Sequence, residues 1–418
     1  MPFDLLLTRA RLASTPQELV EIGIAQGKIA AIAPDLAATD AGLIQSAGGG
    51  LIAPGFVETH IHLDKSCLIE RCSLAEGSLK EAIAETARLK RGFTEEDIFE
   101  RARATLERAI VAGTMHMRTH VEVDPRVGLK GFRAVRELAR RYAWAIDVEI
   151  CVFPQEGLLN DPGTEELLVE ACEAGADLIG GCPYADAQPI EHIGRIFAIA
   201  RRFDLSIDFH LDFDLDVSWM HLDEVVRQTE ALHYGGRVAV GHVTKLSAIS
   251  ARRQLEIARR LAEAGVAVTV LPATDLFLMG RDSDHNVPRG VTRADRLAQH
   301  GVTCSLASNN VLNAFTPFGD ASLLRMANLY ANVAQLGRRE DIERCFAMIT
   351  TAAAKLMRLD GYGLKIGDRA DLLVLPCETA AAAVRELAQP SLGVKRGRKS
   401  FMRPPIELNA PEENVAAL

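Results

Sequence analysis

The amino-acid sequence predicts an α/β protein, a (β/α)8 TIM-type barrel joined to a small β-sandwich domain formed by the N- and C-terminal segments. Two observations favour this fold. Short apolar or β-branched runs alternate with longer amphipathic segments at a spacing of roughly 30 residues, as in consecutive βα units. Strand-like segments with turn signals also occur near both ends of the chain. We therefore expect residues 1–54 and 364–418 to form the β domain and residues 55–363 to form the barrel.

The predicted β domain begins with the strand-like segments DLLLTRARL and LVEIGIAQGKIAAIAP. Gln26-Gly27 is a typical hairpin turn between the two apolar halves of the second segment. GLKIGDRADLLVLP and VKRGRKSFMRP give further short strands near the other end. The run 48–50 consists of glycines that precede a strand instead of opening a helix, which favours a crossing between domains over a phosphate-binding loop.

Eight segments of the central region are predicted barrel strands. Thr94 and Asp97 then resemble a capping box, after which apolar residues recur every fourth position from Ile98 to Ile110. TEELLVEACEAG, HLDEVVRQTEALHYGG and ARRQLEIARRLAEAG show similar helical faces. The predicted strands end near His60, His120, Pro154, Gly180, His210, His242, Leu271 and Ala307.

Composition excludes several classes of protein. A hydrophobic content of 48% and a charged content of 25% fit an ordinary globular chain, and the net charge of -9 offers no basic surface for nucleic acid. We find no apolar run of membrane-spanning length and no export signal at the N-terminus. The eight cysteines include no CxxC pair, so we expect reduced thiols and a cytoplasmic location.

The segment GFVETHIHLDKS carries the strongest chemical signal. His60 and His62 are two residues apart, which places both side chains on one face of a strand. The C-terminal mouth of a barrel is where barrel enzymes hold their sites. An isolated HxH motif is weak, but His210 and His242 end later predicted strands. Imidazoles from separate strands are typical ligands of zinc or iron, so we expect one divalent metal ion at the mouth.

Several motifs together make the sequence similar to a known family. They are HIHLDK at 60–65, MRTHVEVD at 117–124, VFPQEG at 152–157, DFHLD at 208–212, VGHVTK at 240–245 and SNNVLNAFTPFG at 308–319. With these motifs the chain resembles the cytosine deaminase branch of the amidohydrolase superfamily. It is also similar to the related enzymes that remove isopropylamine from N-isopropylammelide. The tail GYGLKIGDRADLLVLP follows the closing strand pattern of the family.

The resemblance implies a role for each matching residue. It implies that His60, His62 and His210 bind the metal ion and that His242 lies beside the attacking water or the substrate. Gln155 matches a residue that binds the polar edge of a pyrimidine, and Phe315 matches an aromatic contact to the ring. Lys65 matches the lysine of the isopropylammelide enzymes and is expected near the substrate. The alternatives are that Gln155 is a loop residue whose amide binds only the protein and that Phe315 only packs in the core.

Two positions depart from the family pattern. Phe213 stands where the deaminases have a glutamate that moves protons, and Asn309 stands where the family has a metal-contacting aspartate that acts as base. The amide of Asn309 can approach a cation through its carbonyl oxygen but cannot accept the proton, a contribution usually of about 10²- to 10⁴-fold. Asp212 is the preferred substitute, chosen from the acidic residues near strand ends: Asp64, Glu122, Asp124, Asp212 and Asp214. We interpret the cluster Asp282, Asp284 and His285 as a solvated loop.

The leading hypothesis is a metal-dependent hydrolase acting on a carbon-nitrogen bond of a small N-heterocycle, most like a cytosine deaminase-type aminohydrolase. One alternative is release of an alkylamine from a triazine-type ring. Another is a catalytically impaired binding paralogue, motivated by Asn309 and Phe213, or an Asn309 introduced in place of a natural aspartate. The resemblance also suggests a homo-oligomer, because enzymes of this branch commonly assemble.

Overall fold

The computed structural model describes residues 3–36 and 41–409, so residues 1–2, 37–40 and 410–418 of the predicted β domain lie outside the described residues. One of its two sheets is mixed and contains strands from both ends of the chain, in the order β16-β15-β14-β5-β1-β2-β3, with β4 paired to β1. The early strands are β1 (Leu5–Leu12), β2 (Thr15–Ala25), β3 (Lys28–Ala33), β4 (Ile44–Ser46) and β5 (Leu51–Pro54).

The second sheet has eight parallel strands in sequential order, which confirms the predicted barrel. Each strand ends within a few residues of its predicted position. They are β6 (Phe56–Ile61), β7 (Thr114–Glu122), β8 (Asp147–Phe153), β9 (Leu178–Gly181), β10 (Ser206–Leu211), β11 (Val238–His242), β12 (Val266–Val270) and β13 (Cys304–Leu306). The chain then returns to the first sheet through β14 (Leu372–Leu375), β15 (Leu392–Lys395) and β16 (Arg398–Met402).

The first and last barrel strands meet at Asn309, just beyond the end of β13. The Asn309 amide donates to the carbonyl oxygen of His60 at 2.8 Å, and the Asn309 carbonyl accepts from the amide of His62 at 2.9 Å. The buried Glu58 carboxylate accepts hydrogen bonds from the amides of His60 at 3.2 Å and Ser308 at 3.1 Å. Two residues expected at the metal site are therefore fixed by the backbone contacts that close the barrel.

Helices alternate with the barrel strands and cover them. Thr94 caps α2 by accepting from the amide of Asp97 at 3.1 Å, as the capping-box pattern predicts. The helices are α1 (Leu79–Lys90), α2 (Glu95–Val111), α3 (Lys130–Tyr142), α4 (Thr164–Glu173), α5 (Pro189–Phe203), α6 (Leu222–Ala231), α7 (Ala251–Ala264), α8 (Pro272–Leu278), α9 (Ala294–Gln299), α10 (Leu323–Val333), α11 (Arg339–Ala347), α12 (Thr351–Leu356) and α13 (Ala380–Arg385). Within the described ranges, no helix combines the length and apolar character needed to cross a membrane.

Apolar burial follows the two sheets. One large cluster of buried aliphatic and aromatic side chains fills the space between the barrel strands and their helices. A smaller cluster, which includes Leu7, Ile22 and Leu372, lies within the terminal sheet, the sheet formed by strands from both ends of the chain. The predicted hairpin is confirmed, with Gln26 and Gly27 at φ 52° and 74°. The domain limits at residues 54 and 364 stay a prediction, since Gly55 alone separates β5 from β6.

A buried ionic contact joins the barrel to the terminal sheet. Asp371 accepts from Lys395 Nζ at 2.8 Å and from the Arg396 amide at 2.7 Å, and its carboxylate lies 3.2 Å from His116 Nε2. Lys395 also donates to Asp147 of β8 at 2.9 Å. The side chain of Lys395 is fully buried, so its charge depends on these carboxylates.

We predict that Asp371→Asn destabilises the chain because it removes a carboxylate from this buried cluster. Losing one partner of a buried ion pair costs about 3 to 5 kcal/mol, and with Asp147 still present we expect about 2 to 4 kcal/mol. Urea denaturation followed by circular dichroism measures the change. Asp204→Asn is the control, because Asp204 pairs with Arg237 at the surface and should cost less than about 1 kcal/mol. Equal denaturation midpoints for both variants would contradict the prediction.

Candidate metal and catalytic site

Histidines from three barrel strands converge at the C-terminal mouth. His210 Nε2 lies 3.0 Å from His60 Nε2 and 3.1 Å from His62 Nε2. One nitrogen each of His60, His210 and His242 also lies within 4.8 Å of the other two. The structure thus brings all four sequence-predicted histidines together, and it does so at the end of strands whose carboxyl termini define the mouth.

The environment keeps the imidazoles neutral. His60, His62 and His210 are buried, and burial is the main reason that their pKa values lie well below the usual range. Neighbouring histidines lower the pKa values further, and so does Lys65 in the case of His62 and His210. The Nε2 atom of His210 lies 3.0 to 3.1 Å from those of His60 and His62, and the buried Nδ1 atoms of all three have no hydrogen-bond partner among the described residues. This donor set fits a borderline metal such as zinc or iron.

Two side-chain contacts and an unusual backbone conformation hold His242. Its Nδ1 lies 2.6 Å from Oδ1 of Asp275, a residue of α8, and both side chains are buried. The ring of Phe213 stacks on it with centroids 3.6 Å apart. His242 and the β-branched Val243 have φ values of 69° and 44°, a left-handed backbone that is costly for such residues. The fold therefore maintains an unfavourable turn that directs this imidazole into the cluster.

Asn309 faces His242. Its Nδ2 lies 3.5 Å from His242 Nε2, and its buried Oδ1 has no hydrogen-bond partner among the described residues. Its φ of 58° is a left-handed conformation that asparagine adopts more readily than most residues. The position is compatible with the expected approach of the amide oxygen to a cation.

Lys65 lies beside the histidines in a polar network. Its Nζ donates to Glu122 Oε1 at 2.8 Å and to Gln155 Oε1 at 2.9 Å, and it lies 4.3 Å from the centroid of the Phe315 ring. Gln155 Nε2 faces the Tyr184 hydroxyl at 3.3 Å. Lys65, Gln155 and Phe315, the three predicted substrate contacts, are therefore neighbours in the structure.

A second lysine anchors the same network. Lys90, the last residue of α1, donates to Glu122 at 2.9 Å, to Glu156 at 2.6 Å and to Asp124. Three carboxylates thus share two buried ammonium groups. Burial and the negative charge of Glu122 raise the pKa of Glu156 to about 7. The cluster accordingly retains a proton on Glu156 up to near neutral pH.

Asp212 points away from the histidines. Its carboxylate accepts from the amides of His221 at 2.9 Å and Leu222 at 3.1 Å, at the start of α6. Burial raises its pKa to about 6. Both oxygens have backbone donors, which favours a structural role, and the function of Asp212 as a proton shuttle stays a prediction.

The other acidic candidates also have protein partners. Asp64 accepts from the Glu122 amide at 2.8 Å, and Asp214 lies 3.3 Å from Lys245 Nζ. The predicted loop cluster is exposed, and its His285 contacts Asp284. Among these residues, Glu122 contacts Lys65, one of the predicted substrate contacts.

Sequence reasoning missed three buried residues at the site. Asp275 follows the seventh strand in LPATD, where its place near a strand end is a signal but the sequence indicates no partner for it. His120 stacks on His60 with centroids 3.7 Å apart, and Asp208 lies 3.7 Å from His120 Nε2 and 4.0 Å from His60 Nδ1. Asp208 is neutralised by Arg118, which donates to it at 2.9 Å.

Comparisons with known proteins identify the family of the chain. A family model described as the amidohydrolase family matches residues 44–145 and 132–401. N-isopropylammelide isopropyl amidohydrolase of Pseudomonas sp. is 26% identical over 405 residues, covering 95% of this chain and 96% of its own. A structure of 5-methylcytosine deaminase from Klebsiella pneumoniae superposes with a TM-score of 0.92 at 28% sequence identity. The match covers 97% of this chain and 99% of the deaminase chain. The structure of N-isopropylammelide isopropylaminohydrolase from Burkholderia multivorans gives a TM-score of 0.83 at 30% sequence identity. The match covers 94% of this chain and 97% of the other chain.

We predict that Glu156→Gln changes how stability depends on pH. The folded parent holds the Glu156 proton to about pH 7, whereas an unfolded glutamate loses it near 4.5. This contribution to stability is therefore present below pH 4.5 and is lost as the pH rises through 7. The variant lacks the effect, so from pH 5 to pH 8 it should gain about 1 kcal/mol or more over the parent in denaturation experiments. Parallel stability curves would show that Glu156 is not the protonated group.

Proposed function

Because the chain belongs to the amidohydrolase family and is a hydrolase of carbon-nitrogen bonds, we propose that it acts on a small N-heterocycle, most like a cytosine deaminase-type enzyme. The observation that carries the proposal is the convergence of His60, His62, His210 and His242 beside Lys65. Metal ligands and a buried substrate-binding cation then line one barrel mouth.

We propose that His60, His62 and His210 hold one divalent ion, zinc or iron, with Asn309 beside it. The bound ion would supply Lewis acidity and make water a stronger nucleophile near neutral pH. His242, held by Asp275, is oriented to stabilise charge that develops on the heterocycle. Asp212 is retained as the candidate proton shuttle, although its contacts with α6 favour a supporting role.

Lys65 provides the proposed recognition of the ring. An ammonium group has three N–H donors, and two of them go to Glu122 and Gln155. The third is available to an oxo oxygen or ring nitrogen of the substrate. Gln155 then holds Lys65 through Oε1, whose second lone pair is directed to the same edge, and Phe315 packs on the ring. The polar edge of a cytosine-like or hydroxytriazine-like ring satisfies these groups.

An apolar cluster favours the alkylamine-releasing reaction as the second candidate. Phe213, Leu278, Met279, Ala314 and Phe315 are buried together at the mouth. Phe213 stacks on His242, so an apolar surface borders the proposed site of reaction. Such a surface accommodates an alkyl group on the leaving nitrogen better than it accommodates ammonia.

The decisive experiment is a turnover screen of metal-loaded protein. The substrates are cytosine, 5-methylcytosine, pterin and N-isopropylammelide, with ammonia and alkylamine assayed separately. Ammonia release supports the deaminase proposal, and isopropylamine release supports the second candidate. Binding without turnover would instead identify the impaired binding paralogue. We further propose a cytoplasmic location, a homo-oligomeric state and no nucleic-acid partner.

We predict about one divalent ion per chain when the protein is prepared with zinc or iron available. His60→Ala and His62→Ala should each lower the metal content strongly, because each removes a proposed ligand. His285→Ala is the control, because the His285 side chain is exposed on a loop and contacts only its neighbour Asp284 among the charged residues described. Elemental analysis measures the content. Less than about a tenth of an ion per chain after reconstitution, or equal losses in all variants, would reject the ligand assignment.

We also predict that Asn309→Asp increases turnover. The change restores a carboxylate at nearly constant volume next to His242, and a positioned base usually contributes about 10² to 10⁴-fold. The gain should appear mainly in kcat, because the proton moves during the reaction.

Asp212→Asn in the parent background is the companion experiment. Lost turnover with unchanged folding would support a proton shuttle at Asp212, and unchanged turnover would remove this residue from the mechanism. If Asn309→Asp binds metal but gains no activity on any tested ring, position 309 is not the missing base.

A further inference from the structure

Asp275 is a buried carboxylate whose position needs an explanation. It lies on α8, directly after β12, and its side chain is fully buried. Oδ1 lies 2.6 Å from His242 Nδ1, and Oδ2 accepts from the Leu271 amide at 3.3 Å. Its principal partner is therefore an imidazole of the metal-site cluster.

The contact fixes the tautomer of His242. A carboxylate accepts hydrogen bonds, so Nδ1 of His242 carries the proton and Nε2 carries the lone pair. The three mutually close ligand nitrogens belong to His60, His210 and His242. His242 thus offers its lone pair to the same volume as two of the proposed metal ligands.

The charge of the site favours this use of His242. Three neutral histidines and the Asn309 amide give a buried dication no negative partner. A carboxylate that accepts from the outer nitrogen of a ligand histidine raises the basicity of the ligand and compensates the metal charge. Asp208 serves His60 less well, because it lies 4.0 Å away and pairs with Arg118.

On the basis of the metal site in the proposed function, we propose that His242 binds the ion directly through Nε2, in place of contacting the heterocycle, and that Asp275 supplies, through His242, the negative charge that Asn309 does not. The resulting ligands are histidines at the ends of β6, β10 and β11. The negative charge comes from Asp275, which lies behind the His242 imidazole.

Titration with Co²⁺ tests the proposal without any substrate. Asp275→Asn should weaken Co²⁺ binding about 10- to 100-fold in competition with a chelator. His242→Ala should weaken it at least as much and should change the visible absorption bands of the bound Co²⁺, since these bands report the ligands. Circular dichroism verifies that each variant is folded.

The chain provides a matched control in His192 and Asp186. This pair is also buried, with His192 Nδ1 2.8 Å from Asp186 Oδ2, but it does not belong to the histidine cluster at the mouth. Asp186→Asn should leave Co²⁺ affinity within about threefold of the parent. The double variant Asp275→Asn with Asn309→Asp should regain most of the affinity, because a carboxylate returns to the site from the other side.

Several results would overturn the proposal. One is that the Asp275→Asn variant binds Co²⁺ as tightly as the Asp186→Asn variant does. Another is a His242→Ala spectrum equal to the parent spectrum. A third is a double variant as weak as Asp275→Asn alone, which would show that Asp275 acts on folding and not on charge. Failure of the parent to bind Co²⁺ rejects the metal site itself, whereas failure of the turnover screen alone leaves these outcomes intact.

Discussion

The backbone contact that closes the barrel determines the geometry of the whole site. Asn309 donates to the His60 carbonyl and accepts from the His62 amide, while Glu58 binds the amides of His60 and Ser308. The separation between strands β6 and β13 is thereby fixed at the level of the histidines. The backbone at position 309 cannot move relative to His60 and His62 without breaking these hydrogen bonds. Replacement of the family aspartate by asparagine therefore changes the chemistry of this position while the closing contacts are retained.

Because the mouth is buried, its charged side chains are stabilised mainly by partners of opposite charge. The mouth contains buried imidazoles, and carboxylates lie behind two of them, Asp275 behind His242 and Asp208 behind His60. On the other side, Lys65 and Lys90 share three carboxylates, Glu122, Asp124 and Glu156. Isolated buried charges are costly, so each group constrains the position of its partner. Glu122 joins both lysines and thereby links α1 to the residue proposed to bind the ring.

The sequence was sufficient for the features that depend on local periodicity. Short apolar runs that alternate with amphipathic, capped helices predict the barrel, and strand ends predict where His60, His62, His210 and His242 converge. Contacts between distant segments were not predictable in this way. Asp275 and Lys90 are ordinary helical residues in the sequence, and only the closed barrel brings them to His242 and Glu122. Asp212 shows a different limit, because its φ of 49° ends the alternation of β10 and turns the carboxylate toward α6.

Phe213 links these constraints to the choice of reaction. Asp212 turns the chain, and Phe213 then stacks on His242 at the place where the deaminase pattern has an acid. A glutamate there would offer a proton-transfer group and a charge, whereas the phenyl ring offers only apolar surface. The ring also joins Leu278, Met279 and Phe315 in one apolar cluster. A carboxylate in this cluster would be desolvated beside neutral side chains, which is unfavourable unless it is paired. The chain therefore has an apolar surface beside His242 at the position where the deaminase pattern has an ionisable group.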